Sequence, residues 1–161
     1  MAGEYEAARM TAISFIGISH KSSGRVRAYL SNKGFGSETV QMVVSDLFEA
    51  GYIDDYRVAA ALIRKRTGRQ AESKSVLKRR LRAAGISESA ILECEDLFVS
   101  DENSLEDLIQ RKYFSDLTKK MEEEDFNPEK WFNKTARALL SKGYSQHLIF
   151  QTLHKVIHDV E

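Results

Sequence analysis

One phrase occurs three times in this chain and constrains what it can fold into: leucine, three residues, glycine, an apolar residue, four residues, another apolar residue. It reads Leu30-x3-Gly34-Phe35-x4-Val40, then Leu81-x3-Gly85-Ile86-x4-Ile91, then Leu139-x3-Gly143-Tyr144-x4-Ile149. The register extends further. Val26, Leu77 and Thr135 lie eight residues before the glycines, and Leu47, Phe98 and Val156 lie thirteen after them. Spacings of 51 and then 58 residues point to a helical repeat protein, whose units bury their apolar faces by stacking on one another. Such arrays more often present surfaces to partners than pockets for chemistry.

No stretch sustains a period of two, and the turn signals separate segments of helical length. The pattern predicts nine helices, over 5–18, 23–33, 37–50, 55–67, 74–84, 88–99, 102–124, 128–142 and 146–160. Grouped in threes they give an all-α chain of three tandem three-helix repeats, 1–51, 52–100 and 101–161, stacked into one elongated, curved body. Each repeated glycine follows the second helix of its span, where the chain leaves a helix with positive φ. Ser87 and Ser145, two residues later, are placed to cap the next helix, and Gly36-Ser37 takes that place in the first span. Ser22 and Ser73, twelve residues before their glycines, read as caps of the helix between.

The formal net charge is zero, but its distribution is uneven. Residues 57–92 hold ten Lys/Arg and two Asp/Glu, a balance of +8. Residues 93–125 hold four Lys/Arg and twelve Asp/Glu, a balance of −8. A basic middle beside an acidic belt is where a partner is to be sought. No apolar run approaches the length that crosses a bilayer, and a single cysteine fits a reducing compartment. A cytoplasmic protein is expected.

One segment is more specific than a generic helical repeat. Leu47-Phe48-Glu49-Ala50-Gly51-Tyr52-Ile53-Asp54-Asp55-Tyr56-Arg57-Val58-Ala59 resembles the signature of the RecX family of bacterial recombination regulators. Ser22 through Gly34-Phe35 is similar to the family's first hairpin. Arg66-x-Gly68, followed by Ser73-x3-Leu77-x3-Leu81-x3-Gly85-Ile86, is similar to its second. The resemblance covers most of residues 13–98 and, through Leu139-x3-Gly143-Tyr144, extends more weakly into the last span. The chain departs from the family pattern at Arg25-Val26, at Ser19-His20 and at Val58. The resemblance implies three helical triplets and control of the RecA recombinase. Family members lodge in the groove of the RecA–DNA filament and damp its ATPase, strand exchange and stimulation of repressor cleavage, with no catalytic activity of their own.

On physical grounds the signature residues Gly51, Tyr52, Asp54, Asp55, Arg57 and Ala59 read mainly as structure. Gly51 ends one helix, and Asp54 or Asp55 caps the next. The candidate contact surface for partner or DNA is the basic stretch: Arg57, Arg64, Lys65, Arg66, Arg69, Lys74, Lys78, Arg79, Arg80 and Arg82. With Val76, Leu77, Leu81 and Ala84 as a buried stripe, Lys74, Lys78, Arg79 and Arg82 point mainly outward. Concentrated positive charge attracts phosphate or an acidic protein face. The alternative is a solvated face balanced by the acidic belt. That belt, from Glu93 through Glu122-Glu123-Glu124-Asp125, reads as a solubilising surface.

His147, His154 and His158 share one face of the last helix at spacings open to zinc. Gln151 shares that face, and Ile149, Leu153, Val156 and Val160 form the opposite, buried one, so a solvated polar face is expected. Cys94 occupies the repeat position of Val43 and Thr152 and reads as a small core residue. Trp131 and Phe132 read as packing.

No phosphate loop, metal cluster or nucleophile–base set is present in the sequence, so no enzyme, cofactor, metal, membrane or small-molecule substrate is expected. Expected partners are the RecA filament and single- or double-stranded DNA, reached through the filament or weakly on its own. Two rivals stay open. One is a helical module that binds DNA directly without RecA, since the turns after the glycines allow helix-turn-helix pairs. The other is a scaffold that binds protein through the acidic belt.

Overall fold

The structure, a computed structural model, describes residues 2–159. They form ten α-helices and two short 3-10 turns, with no strand among the described residues. The helices are α1 (Ala2–Ile16), α2 (Ser23–Asn32), α3 (Ser37–Glu49), α4 (Asp55–Lys65), α5 (Lys74–Ala83), α6 (Glu88–Glu93), α7 (Asp101–Lys112), α8 (Phe114–Met121), α9 (Pro128–Ser141) and α10 (Gln146–His158). Gly68–Gln70 and Glu95–Leu97 are the 3-10 turns.

The repeated positions form the core. Leu30, Leu81 and Leu139 are fully buried, and Val26, Leu77 and Thr135 one helical step earlier and Val40, Ile91 and Ile149 in the following helix are buried as well. Gly34, Gly85 and Gly143 all have positive φ, at 89°, 78° and 88°. Ser22, Ser73, Ser87 and Ser145 each accept a hydrogen bond from the backbone N–H three residues on, as N-caps do. The first span departs from expectation here: Gly36 occupies the N-cap of α3 and supplies no side-chain bond, so Ser37 is already helical.

Two helices end sooner than their periodicity suggests. The segment expected over 102–124 breaks at Tyr113, whose φ of −111° starts a second helix. A straight rod of that length would span about 34 Å; the break returns Leu117 to the core that holds Leu108 and Ile109. The segment expected over 88–99 stops at Glu93 and passes, after Cys94, into the 3-10 turn Glu95–Leu97. Val160, expected on the buried face of the last helix, lies outside the described residues.

The residues cluster into two compact units. Unit 1 comprises residues 2–62 with 79–97, and unit 2 comprises 63–78 with 98–159. The division falls inside α4, inside α5 and after Leu97, so it cuts through the middle sequence span alone. Unit 1 is built on Ala8, Ala12 and Ile16 of α1, where the two alanines let the helix lie close to Leu30 and Leu47. Unit 2 is built on Leu105, Leu108 and Ile109 of α7 against Trp131, Leu139, Ile149 and Leu153.

The same joint is made once in each unit, which supports the three-repeat reading as a proposal. In unit 1 the start of α2 meets the turn at Gly85. Gly24 N donates to Gly85 O at 2.9 Å, and Ser22 Oγ donates to Ala84 O at 2.5 Å. A Cβ on Gly24 would lie 2.6 Å from Gly85 Cα, so two glycines are needed for this approach. In unit 2 the start of α5 meets the turn at Gly143, with Ser73 N donating to Lys142 O at 3.0 Å. An aspartate at the start of a helix locks each joint. Asp55, 1% exposed, accepts from Ser23 N (2.7 Å), Ser23 Oγ (2.6 Å) and Ser87 N (2.9 Å). Asp101 accepts from Lys74 N at 2.8 Å.

Candidate functional site

Beyond the buried Asp55 at the start of α4, the helices that carry the basic stretch bury their apolar sides. On α4, Ala59, Ala60 and Ile63 are buried, which turns Arg57, Arg64 and Lys65 to solvent. Arg66 is half-buried at the helix end, and Arg69 is exposed on the 3-10 turn. On α5, Val76, Leu77 and Leu81 are buried, Ala84 beyond it is half-buried, and Arg79, Arg80 and Arg82 are exposed. Lys74 and Lys78 differ from the outward placement expected. Both are half-buried, with their ammonium groups 5.5 and 5.6 Å from the ring centre of Phe98. Arg64, Lys65, Arg66, Arg69, Lys74 and Lys78 belong to unit 2, and Arg57, Arg79, Arg80 and Arg82 belong to unit 1.

Six of these ten side chains stand outside any ion pair among the described residues. Arg82 pairs with Glu88, Nε to Oε1 at 2.5 Å, on an exposed surface where such a pair contributes little to stability. Arg57, Arg64, Lys65, Arg66, Arg69 and Arg79 enter no ion pair among the described residues. Three acids of the belt pair with cations outside the basic stretch: Asp107 with Arg111 (2.6 Å), Asp116 with Lys120 (3.4 Å) and Glu106 with Lys155 (3.6 Å).

One cleft in unit 2 draws on both charge regions. Thr67, Gly68 and Arg69 line one side, and Asp107 and Arg111 of α7 line the other, around about 700 Å³. Gly68 has a φ of +59°, and a Cβ there would come within 3.4 Å of Arg111 Cδ. Charge counting along the sequence missed Arg111, because it lies within a segment of strongly negative balance. The glycine of Arg66-x-Gly68 was the one local signal that something packs closely there.

The signature divides into structural and exposed residues. Gly51 turns the chain with a φ of +79°, and Ala59 is fully buried. Asp54 Oδ1 caps α4 by accepting from Arg57 N at 2.9 Å, which frees Asp55 for the joint. Tyr52 and the Arg57 side chain are exposed, as are the neighbouring Phe48 and Tyr56.

The remaining candidates lie as follows. His147, His154, His158 and Gln151 are all exposed, with His154 packed on Phe132 at 4.9 Å. No group of three His, Cys, Asp or Glu is arranged to hold a metal among the described residues. Cys94 is fully buried, and burial, then the nearby Glu93 charge, pushes its thiol up and away from thiolate chemistry. Trp131 is a core residue whose Nε1 donates to Asp116 Oδ2 at 3.1 Å. No helix among the described residues is long and apolar enough to cross a membrane.

No family model matches the sequence. The chain is 34% identical over 150 residues to the regulatory protein RecX of Clostridium tetani, a match that covers 91% of this chain and 66% of that protein. This chain belongs to the RecX family. The regulatory protein RecX of Clostridium acetobutylicum is 27% identical over 158 residues, covering 96% of this chain and 71% of the relative. The chain thus spans about two thirds of the length of these clostridial RecX proteins. The crystal structure of RecX from Lactobacillus salivarius has the same fold. It superposes with a TM-score of 0.73 at 15% identity, over 99% of this chain and 98% of that one.

Proposed function

We propose that this chain is a non-enzymatic regulator that binds the RecA–DNA filament and modulates RecA, mainly by inhibiting its ATPase, strand exchange and co-protease activity. The observation that carries this reading is the set of unneutralised cations on and beside α4 and α5 in a chain of the RecX family. Six guanidinium and ammonium groups, four in unit 2 and two in unit 1, have no acidic partner, so their counter-charge must come from outside. A DNA-bearing filament supplies it as repeated phosphates, and release of condensed ions drives the contact. Several weak contacts carried by one chain add up to firm attachment. A body held by adjacent RecA protomers would hinder the subunit movements that accompany ATP hydrolysis. The reading involves no membrane, no cofactor and no reaction of its own, and it places the chain in the cytoplasm with its partner.

Charge reversal tests it. The triple variant Arg64→Glu, Lys65→Glu, Arg79→Glu should bind RecA filaments on immobilised single-stranded DNA at least about tenfold more weakly at moderate salt. Circular dichroism should show unchanged helix content, because all three side chains are exposed. Unchanged filament binding would remove the basic helices from the account. Binding of the unmodified chain to one duplex sequence without RecA would favour the direct DNA-binding reading instead.

A further inference from the structure

The geometry of the cleft between the Gly68–Gln70 turn and α7 points to a seat for a DNA phosphodiester, and we propose that Arg111 and Arg69 hold it. The inference rests on the reading that the basic surface meets DNA, and it adds a residue that the acidic belt conceals. Arg111 is built for this task. Its Nε donates to Asp107 Oδ1 at 2.6 Å, one turn earlier on the same helix. That bond restrains the plane of the guanidinium and engages its Nε, leaving the edge between the two terminal nitrogens, a fork that matches phosphate oxygens, outside the ion pair. The side chain is 63% exposed, so an anion can reach it without rearrangement.

The turn supplies the other wall. Gly68 allows the Arg111 stem to lie against the backbone, where a Cβ would stand 3.4 Å from Cδ and 3.8 Å from Asp107 Oδ2. Thr67 Oγ1 donates to Arg64 O at 3.1 Å, which ties the turn to the last residues of α4. Arg69 projects from the turn without an acidic partner. The five lining residues carry two guanidiniums against one carboxylate, and that carboxylate is already engaged by Arg111. No aromatic ring lines the cleft, so there is nothing for a base to stack on. Recognition therefore falls on the backbone, independent of sequence. Arg64, Lys65 and Arg66 precede the turn in the chain, and a run of cations suits the repeated charge of a nucleic-acid strand better than a single free anion.

The test uses the full chain and a fluorescently labelled oligothymidylate, with anisotropy followed across a salt series in the absence of RecA. Arg111→Gln should weaken binding about tenfold and reduce the salt slope by about one. Lys112→Gln, the same charge change on the next residue but outside the cleft, should leave affinity within about twofold. Arg69→Gln should behave as Arg111→Gln does. Equal weakening by Arg111→Gln and Lys112→Gln would overturn the seat, since it would reveal charge alone. So would failure of the unmodified chain to bind the oligonucleotide. Displacement of the oligonucleotide by millimolar inorganic phosphate at constant ionic strength would reassign the cleft to a free anion. The wider reading fails by a different measurement, the RecA ATPase, whichever way the oligonucleotide titration falls.

Discussion

Replacing Gly143 with alanine lowers the stability of the chain by about 3 kcal/mol, whereas the same change at Gly34 costs about 1 kcal/mol. The two glycines stand at equivalent positions of the repeated phrase and share the same backbone strain, with φ of 88° and 89°. A left-handed conformation costs an alanine roughly 1 kcal/mol in either place. The surroundings differ. A Cβ on Gly143 would collide with Val76 Cγ2 and Ser73 Oγ at the start of α5, while a Cβ on Gly34 meets nothing within 4 Å. Overpacking at a joint that cannot open adds roughly 1–3 kcal/mol. Gly85 should resemble Gly143, since its Cβ would lie 2.9 Å from Ser22 Oγ and 3.0 Å from Arg25 N. Urea unfolding followed by circular dichroism measures all three. Equal losses at Gly34 and Gly143 would mean that the joint gives way to an added methyl group and does not hold the helices in register.

Asp55→Ala is expected to cost about 3–4 kcal/mol, against about 1 kcal/mol for Asp54→Ala next to it. Both are acidic, adjacent and part of the family signature, yet they act at different levels. Asp54 caps one helix through one bond, from Arg57 N at 2.9 Å. Asp55 is almost fully buried and receives three hydrogen bonds from α2 and from the cap of α6. Removing it leaves the Ser23 and Ser87 amides without an acceptor inside unit 1, and each orphaned buried donor costs roughly 1–3 kcal/mol. Thermal unfolding of the two variants side by side separates the roles. A loss at Asp54 as large as that at Asp55 would contradict the division.

Much of this was legible because one face of each helix is buried. The leucine–glycine phrase marked Leu30, Leu81 and Leu139 as core and Ser22, Ser73, Ser87 and Ser145 as caps, and the structure bears out each of them. What the pattern could not reveal are places where a helical period continues through a break. Ile109, Tyr113 and Leu117 are spaced at four residues as in one unbroken helix, yet the chain bends at Tyr113 to keep the core compact. The roles of Asp54 and Asp55 could not be separated either, because a cap and a tertiary acceptor demand the same residue type.

The basic stretch was visible as charge but not as geometry. Sequence could not foresee that Lys74 and Lys78 would fold over Phe98, a position whose counterparts Leu47 and Val156 are buried. Nor could it show which cations would lack acidic partners. Net charge averaged over a segment hid Arg111, which belongs to the acidic belt by sequence and stands beside Gly68 and Arg69 in space.

The most direct measurement of the regulatory role is the single-stranded-DNA-dependent ATPase rate of the cognate RecA, with this chain titrated in below one molecule per RecA. A filament regulator of this kind should lower the rate steeply at such substoichiometric amounts, and the triple charge-reversal variant should require more protein for the same fall. A rate that stays flat through the titration at moderate salt would contradict filament regulation by this chain, however well it binds DNA alone.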